Sequence, residues 1–260
     1  MKKLSLLILI TILFLPGKNL YAQYTHFSTN GIIEFDKSVN MFALIKKSIN
    51  KDNESFMQQA FDSYKKNKPQ FKVFKSTLSF SKDKTMFTPL ENAESGSNTY
   101  FDENPMAEQN NVTYTDLSAN RIISQKKVFE QTFLLKDSTR KINWKITSET
   151  RQIAGYNCRR ANALILDSVY VVAFYTDEIM VPGGPELFSG LPGMILGVAI
   201  PHENISWFAT KVTDTTVPAK ALSPPTKGKA VNDKELRATL QSALKDWGNY
   251  KQIAMKAFLL

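Results

Sequence analysis

Glycine and proline are concentrated in one stretch of this chain, Tyr175-Thr-Asp-Glu-Ile-Met-Val-Pro-Gly-Gly-Pro-Glu-Leu-Phe-Ser-Gly-Leu-Pro-Gly-Met-Ile-Leu-Gly197. Five of the 11 Gly and three of the 11 Pro fall between Pro182 and Gly197. Gly opens φ angles that other residues avoid, whereas Pro holds φ near about −65°. Because extended apolar segments flank this stretch on both sides, we predict a rigid turn inside a β-sheet and name residues Pro182 to Gly193 the Gly/Pro corner.

Segments of alternating or β-branched residues precede and follow the corner, with turn residues about every 8–12 positions. This spacing predicts a mainly β fold with one curved, meandering antiparallel sheet. A sheet of this size has to roll into a half-barrel or split into two layers. The predicted strands are 31–36, 70–81, 84–88, 112–116, 121–128, 130–136, 144–153, 158–166, 169–176, 194–200 and 205–212.

Helices are predicted on both sides of the strand-rich region. Apolar residues at helical spacing predict helices over about 41–49 and 53–66, and residues 91–109 are polar enough to predict a long surface loop. Residues 218–228 are rich in Pro, Ala and Lys and predict a linker. The amphipathic segment 233–247, with Leu236, Leu240, Leu244 and Trp247 on one face, predicts a helix that docks on the sheet.

The first 22 residues have the pattern of a secretory signal peptide. Lys2 and Lys3 precede an apolar run from Leu4 to Leu15, and Ala22 suits the last position before a cleavage site. We therefore predict an exported protein, in the periplasm or associated with the outer membrane, with a single β-rich domain over residues 23–260. No later apolar run is long enough to predict a second membrane segment.

Charge and cysteine content restrict the function classes. The net charge is +9, but basic residues are dispersed among acidic ones, which argues against a nucleic-acid partner. The single cysteine, Cys158, excludes an internal disulfide. Cys158 is either a small buried residue or a ligand for a soft ion such as Cu(I). His26 and His202 are far apart in sequence, so we expect no zinc site and no cofactor.

The corner does not contain a recognisable catalytic motif. Ser189 lies in Phe188-Ser189-Gly190-Leu191, which is not the G-x-S-x-G pattern of a nucleophile elbow. Gly183-Gly184-Pro185 is not followed by the Lys and Ser or Thr of a phosphate-binding loop. The sequence thus predicts a protein without enzymatic activity.

Three segments resemble the bacterial GLPGLI family. The first is Gly190-Leu-Pro-Gly-Met-Ile195, with Met194 in place of the family's Leu, and the second is Ile153-Ala-Gly-Tyr-Asn-Cys-Arg-Arg-Ala161. The third is Ala173-Phe-Tyr-Thr-Asp-Glu-Ile179, followed by Gly184-Pro185 and Phe188. The resemblance implies an exported envelope protein that works near outer-membrane transporters. It implies no catalytic residues.

The leading functional hypothesis is a non-enzymatic binding or accessory protein, similar in shape to lipoprotein carriers, for an apolar ligand or an outer-membrane partner. Two alternatives remain open: a copper-handling protein that uses Cys158, and an enzyme whose residues are assembled across the fold. The corner itself is either a structural turn or a binding edge. In the second case the predicted ligand- or partner-binding residues are Pro182, Gly184, Pro185, Phe188, Gly190, Leu191, Pro192 and Gly193.

Overall fold

The computed structural model describes residues 28–90, 101, 104–108, 111–248 and 250–260. The predicted signal peptide and most of the predicted loop 91–109 lie outside the described residues. None of the helices in the described ranges is long and apolar enough to cross a membrane.

The described residues form twelve strands, five α-helices and two short 3₁₀ turns. The strands are β1 (Asn30–Asn40), β2 (Phe71–Ser81), β3 (Lys84–Pro89), β4 (Val112–Asp116), β5 (Arg121–Val128), β6 (Gln131–Asp137), β7 (Lys145–Ile153), β8 (Tyr156–Ile165), β9 (Val169–Thr176), β10 (Met194–Ile200), β11 (Ile205–Asp214) and β12 (Lys229–Val231). The helices are α1 (Met41–Ser48), α2 (Glu54–Asn67), α3 (Pro105–Glu108), α4 (Asp233–Ala243) and α5 (Tyr250–Leu259). The mainly β prediction is confirmed.

All twelve strands belong to one open sheet with the order β12-β6-β5-β4-β3-β2-β1-β11-β10-β9-β8-β7. Neighbouring strands are antiparallel except β12, which runs parallel to β6. The sheet is not the single meander that was predicted. It consists of one meander from β1 to β6 and a second from β7 to β11, and the two halves meet where β1 pairs with β11. Turn signals report local pairing only, so the sequence pattern did not reveal this long-range pair.

β1 is the strand that joins the halves. It pairs with β2 along its whole length and with β11 from Gly31 to Val39. Its odd-numbered residues face the core: Ile33, Phe35 and Val39 are at most 1% exposed. This period-two burial is typical of a strand with one covered face. We call the side of the sheet that carries these residues the core face.

The second half of the sheet curls. β7 and β11 are separated by three strands in the sheet, yet they contact each other. Gly197 on β10 permits this approach: a Cβ atom there would lie 2.6 Å from the ring of Phe208 and 3.1 Å from Ile153 Cδ1. The end of β7 therefore covers the side of β10 and β11 that faces away from the core.

The C-terminal region differs from the predicted single helix over 233–247. α4 begins with a reciprocal cap, in which the Asn232 side chain accepts from the Glu235 amide and the Glu235 carboxylate accepts from the Asn232 amide. It ends at Ala243, before the polar sequence that leads to Gly248, where φ is +52°. A further helix, α5, follows, and its Ala257 and Phe258 are buried at 2% and 3% exposure.

The Gly/Pro corner closes on itself through backbone hydrogen bonds. The Ile195 amide donates to the Gly183 carbonyl at 2.9 Å, and the Gly190 amide donates to the Pro182 carbonyl at 3.2 Å. Gly193 has φ of +141°, and a Cβ atom there would lie 2.1 Å from the Thr176 carbonyl oxygen. The corner therefore depends on glycine at Gly193 for both backbone angle and space.

The corner packs against both halves of the sheet. Leu187 forms a small buried cluster with Ile122 of β5 and Leu135 of β6. Phe188 lies 6.2 Å, between ring centroids, from Trp207 of β11. Because β5 and β11 belong to different halves, the corner links the two halves on the core face. It reaches from Trp207, which lies in the β1–β11 pairing, to β5 and β6 in the first half.

We predict that Gly193→Ala lowers the free energy of unfolding by about 3 kcal/mol or more, because the new Cβ meets backbone that cannot move alone. Gly190→Ala is the matched control. Gly190 also has a positive φ, of +89°, but the nearest atom to a Cβ there is 4.0 Å away. Gly190→Ala should lower the free energy of unfolding by only about 1–2 kcal/mol, which is the cost of the backbone strain. Equal losses in urea denaturation of the two variants would refute the close approach at Gly193.

Candidate functional site

The structure buries most of the residues predicted as a binding edge. Gly184, Pro185, Phe188, Leu191 and Gly193 are buried, Pro182 is partly exposed, and Gly190 and Pro192 are exposed. A partner could touch the corner only at the exposed positions unless the corner opened. The binding role of these residues stays a prediction.

Trp144 fixes the exposed end of the corner. Its indole Nε1 donates a hydrogen bond to the Ser189 carbonyl oxygen at 2.9 Å. Ser189 itself is 7% exposed. This contact ties the corner to the segment that leads into β7.

A buried cluster of ionisable groups lies beneath the corner, around Glu186. Glu186 is 6% exposed and has φ of +53°, which is uncommon outside glycine. Its Oε2 accepts a hydrogen bond from Asn111 Nδ2 at 2.9 Å. Asn111, 1% exposed, immediately precedes β4. The corner thus places a carboxyl group inside the protein, against the first half of the sheet.

Two lysines complete this buried cluster. Lys37 on β1 is 4% exposed, and its Nζ donates to the Ala107 carbonyl of α3 at 3.1 Å. The same Nζ lies 5.6 Å from the ring centroid of Trp207. Lys126 on β5 is fully buried, and its Nζ donates to the Phe258 carbonyl of α5 at 3.3 Å. Each ammonium group is thus held by a carbonyl of a helix packed on the core face.

Burial shifts the pKa values of all three groups toward neutrality. It lowers the pKa of Lys37 and of Lys126 from 10.5 to about 8, and the charge of Glu186 opposes part of this change in both cases. Burial also raises the pKa of Glu186 above its usual value, against the attraction of Lys126 and Lys37. The loss of hydration disfavours each charged form. The cluster consequently contains two lysines with a pKa of about 8 and a carboxyl group whose pKa is raised.

The space beside these groups is too small for an organic substrate. The cavity has a volume of about 10 Å³ and is lined by Lys37, Met106, Asn111, Glu186, Ile205, Trp207, Ala257 and Leu260. This volume is close to the minimum for a single water molecule. As folded, the cluster cannot admit a sugar or a lipid, although perturbed pKa values are typical of functional sites.

Helix α5 closes the cluster and is fastened by further charges. Lys256 donates to Glu203 Oε1 at 2.6 Å, and Lys47 of α1 donates to Glu203 Oε2 at 3.0 Å. The Glu203 side chain is only 4% exposed, so both ion pairs are shielded on one side. Arg140, whose pKa burial lowers to about 10, donates to the Leu259 carbonyl. Cations at the carboxyl end of α5 complement its helix dipole.

Sequence reasoning missed this cluster, although a signal was present. In β1 the alternation of Ile33 and Phe35 continues to Lys37, and in β5 the alternation of Ile122 and Ser124 continues to Lys126. A lysine in register with core residues indicates a buried ammonium group. No comparable signal existed for Glu186, because the residues of a turn do not alternate regularly between buried and exposed positions as those of a strand do.

The structure does not support the copper-handling alternative. Cys158 is fully buried, and burial, with a smaller contribution from Glu178, raises the pKa of its thiol to about 12. Its Sγ contacts the Tyr156 carbonyl at 3.7 Å. The described part of the chain contains no group of three His, Cys, Asp or Glu side chains that could hold a metal ion. Because the thiolate is the metal-binding form, the structure instead favours the buried-residue interpretation.

We predict that Lys126→Met changes how stability depends on pH. The folded-state pKa of Lys126 is about 8 and the unfolded value is 10.5. Between these values the unfolded chain retains a proton that the folded protein has released, so the free energy of unfolding rises with pH. The free energy of unfolding of wild type, measured relative to that of Lys126→Met, should therefore rise by up to about 3 kcal/mol from pH 8 to pH 10.5.

The matched control is Lys127→Met, which changes the exposed neighbour on the other side of β5. Urea denaturation at a series of pH values measures all three proteins. Lys127→Met should run parallel to wild type across this range. A constant difference between wild type and Lys126→Met would show that Lys126 is not perturbed.

We also predict that Cys158 is inert in the native state. Its pKa of about 12, against 9.0 for a free thiol, lowers the thiolate fraction at pH 8 roughly a thousandfold. A disulfide reagent such as DTNB should react with the native protein at least that much more slowly than with the urea-unfolded chain. Similar rates in both states would place the thiol at the surface.

Comparisons with known proteins give the fold a precedent. A structure of PNGF-II in the P21 space group resembles this chain with a TM-score of 0.50 and 17% identity, covering 82% of this chain and 33% of that one. A PNGF-II structure in the C2 space group gives a TM-score of 0.50, 15% identity and coverage of 88% and 33%. This chain therefore spans about a third of the length of these relatives. No curated protein matches it.

A family model corrects the sequence-based assignment. The model described as "N-glycanase peptide, N-terminal domain" matches residues 55–234, well over half of the chain. The assignment to the GLPGLI family was therefore wrong. The matched family points to glycan-related enzymes. The hypothesis of a non-enzymatic binding or accessory protein was therefore wrong, and so was the prediction that the protein lacks enzymatic activity. The chain belongs to the PNGase F-II N-terminal domain family.

Proposed function

We propose that this chain acts on N-glycosylated proteins in the enzymatic release of their glycans. The observation that carries the proposal is the extent of the family match, which runs from α2 to the start of α4. It includes every strand except β1, and with them the Gly/Pro corner. The proposal thus rests on eleven of the twelve strands and not on a short motif.

An N-glycan can be released at two bonds, and they leave different products. Hydrolysis of the amide between the sugar and asparagine converts that asparagine to aspartate. Hydrolysis of a glycosidic bond leaves a sugar on the asparagine. Either reaction needs a proton donor for the leaving group and an activated water, and these groups must reach the scissile bond.

The buried cluster around Glu186 does not meet this requirement. Its cavity of about 10 Å³ excludes a sugar ring. We therefore propose a structural role for Glu186, Lys37 and Lys126, in which they hold the corner, the sheet and α5 together. A glycoprotein would therefore have to bind at the surface of this protein and not in the buried cluster.

Location and sheet shape belong to the same proposal. The proposal of export rests on the signal-peptide pattern of residues 1–22. We propose that the protein resides in the periplasm or at the outer membrane, and that the open sheet curves toward the half-barrel form expected from its strand number. The outer-membrane transporter predicted as a partner stays a prediction.

The test uses one glycoprotein in two forms. Ribonuclease B carries an N-glycan, and the same protein without its glycan is the control. The purified chain is incubated with both forms. Released glycan and conversion of asparagine to aspartate are measured by mass spectrometry, and binding is measured by calorimetry.

Two results support the proposal. Glycan release would show that this chain carries out the hydrolysis. Binding that requires the glycan would show that this chain recognises the substrate. The proposal would be overturned if the chain neither released the glycan nor bound the glycoprotein in a glycan-dependent way.

A further inference from the structure

Three aromatic side chains form a partly exposed group where the β5–β6 turn meets the segment between α4 and α5. Phe129 and Trp247 are 42% and 43% exposed, and their ring centroids lie 5.2 Å apart. Tyr250 follows, with its ring centroid 5.6 Å from that of Trp247. We call Phe129, Trp247 and Tyr250 the aromatic platform. Large side chains exposed side by side are uncommon on a protein surface and indicate an interaction site.

The platform is anchored from below. The Phe129 ring meets the ring of Phe258 edge to face at 5.1 Å. Phe258 is 3% exposed and belongs to a buried cluster with Leu236, Leu240 and Leu244 of the α4 segment. Phe129 and Trp247 therefore keep part of their side chains exposed, whereas the Phe129 ring is fixed from one side by its packing on Phe258. A surface that is already ordered loses little conformational entropy when it binds a ligand.

The backbone at Phe129 is unfavourable for phenylalanine. Val128 pairs with Gln131, so Phe129 and Glu130 form a two-residue hairpin turn. Phe129 is the first of the two and has φ of +51°. Glycine, asparagine and aspartate are the residues that suit positive φ in such turns. The turn therefore places a large ring at the surface beside Trp247 despite the cost in backbone strain.

The surroundings of the platform are polar and hydrogen-bonding. Glu130 and Gln131 of the turn are exposed. Lys245 and Asp246 directly precede Trp247, and their side chains are 72% and 83% exposed. A pyranose ring has the matching chemistry, with a face of C–H groups that can lie on an aromatic ring and a rim of hydroxyl groups. Apolar surface with a few polar groups beside it is typical of small-ligand sites.

We propose that the aromatic platform is a docking site for a sugar ring of an N-linked glycan. The inference rests on the proposed function and names a site for its substrate. Trp247 and Tyr250 lie outside the family-matched residues 55–234, so the family model does not define this site.

The probe is N,N′-diacetylchitobiose, the disaccharide that links N-glycans to asparagine. It is titrated into the full chain while tryptophan fluorescence is recorded, and calorimetry provides an independent dissociation constant. Trp247 is the most exposed of the tryptophans, so saturable binding should change the emission. Trp247→Ala and Phe129→Gly should each weaken binding about tenfold or more, because each removes a stacking surface.

Phe129→Gly separates binding from folding. Glycine relieves the strain of the positive φ and so offsets the lost packing of the Phe129 ring on Phe258. This variant should therefore keep its melting temperature close to that of wild type while it loses affinity. Phe56→Ala is the matched control, because Phe56 on α2 is 69% exposed and distant in sequence from the platform. Its affinity should equal that of wild type.

Several results would overturn the platform. They are the absence of saturable binding, unchanged affinity in both platform variants, and self-association of wild type that Trp247→Ala abolishes. The glycoprotein assay remains independent of these outcomes. Glycan release or glycan-dependent binding by a Trp247→Ala variant at wild-type level would retain the proposed function and reject this site.

Discussion

The fold depends on how two halves of one sheet are held together. They share backbone hydrogen bonds along one strand pair, β1 with β11. The Gly/Pro corner provides the second connection, because Leu187 packs on β5 and β6 while Phe188 packs on Trp207 of β11. The corner can occupy this position because Gly193 passes against the Thr176 carbonyl without a side chain.

The buried charges follow from the same arrangement. Once the corner lies across the core face, Glu186 is enclosed, and its carboxyl group is stabilised by Asn111 and by the nearby charges of Lys37 and Lys126. Breaking one member of such a group leaves the others buried without compensation, which costs several kcal/mol. The cluster therefore favours one relative position of corner, sheet and α5. It is a positional constraint, and its small cavity separates it from substrate chemistry.

The sequence predicted the strands because alternation and turn residues are local signals. It could not predict the β1–β11 pair, which joins residues about 170 positions apart, as in Phe35 with Ala209. The buried lysines were missed because Lys37 lies just beyond the predicted strand 31–36, and because the alternation within the predicted strand 121–128 was not followed to Lys126. The GLPGLI resemblance misled for a related reason: Gly190-Leu-Pro-Gly193 encodes a backbone turn, and a turn of this kind reports the local path of the chain more than its function.

The central claim is that the corner is a fixed joint between the halves and not a mobile edge. Amide hydrogen exchange tests it directly at Gly190, Met194 and Ile195, whose amides donate hydrogen bonds within the corner or at its base. We expect these amides to exchange only when the whole protein unfolds, with the same urea dependence as amides in the middle of β10 and β11. Exchange of the corner amides through a local opening, insensitive to urea while β10 and β11 stay protected, would contradict the account.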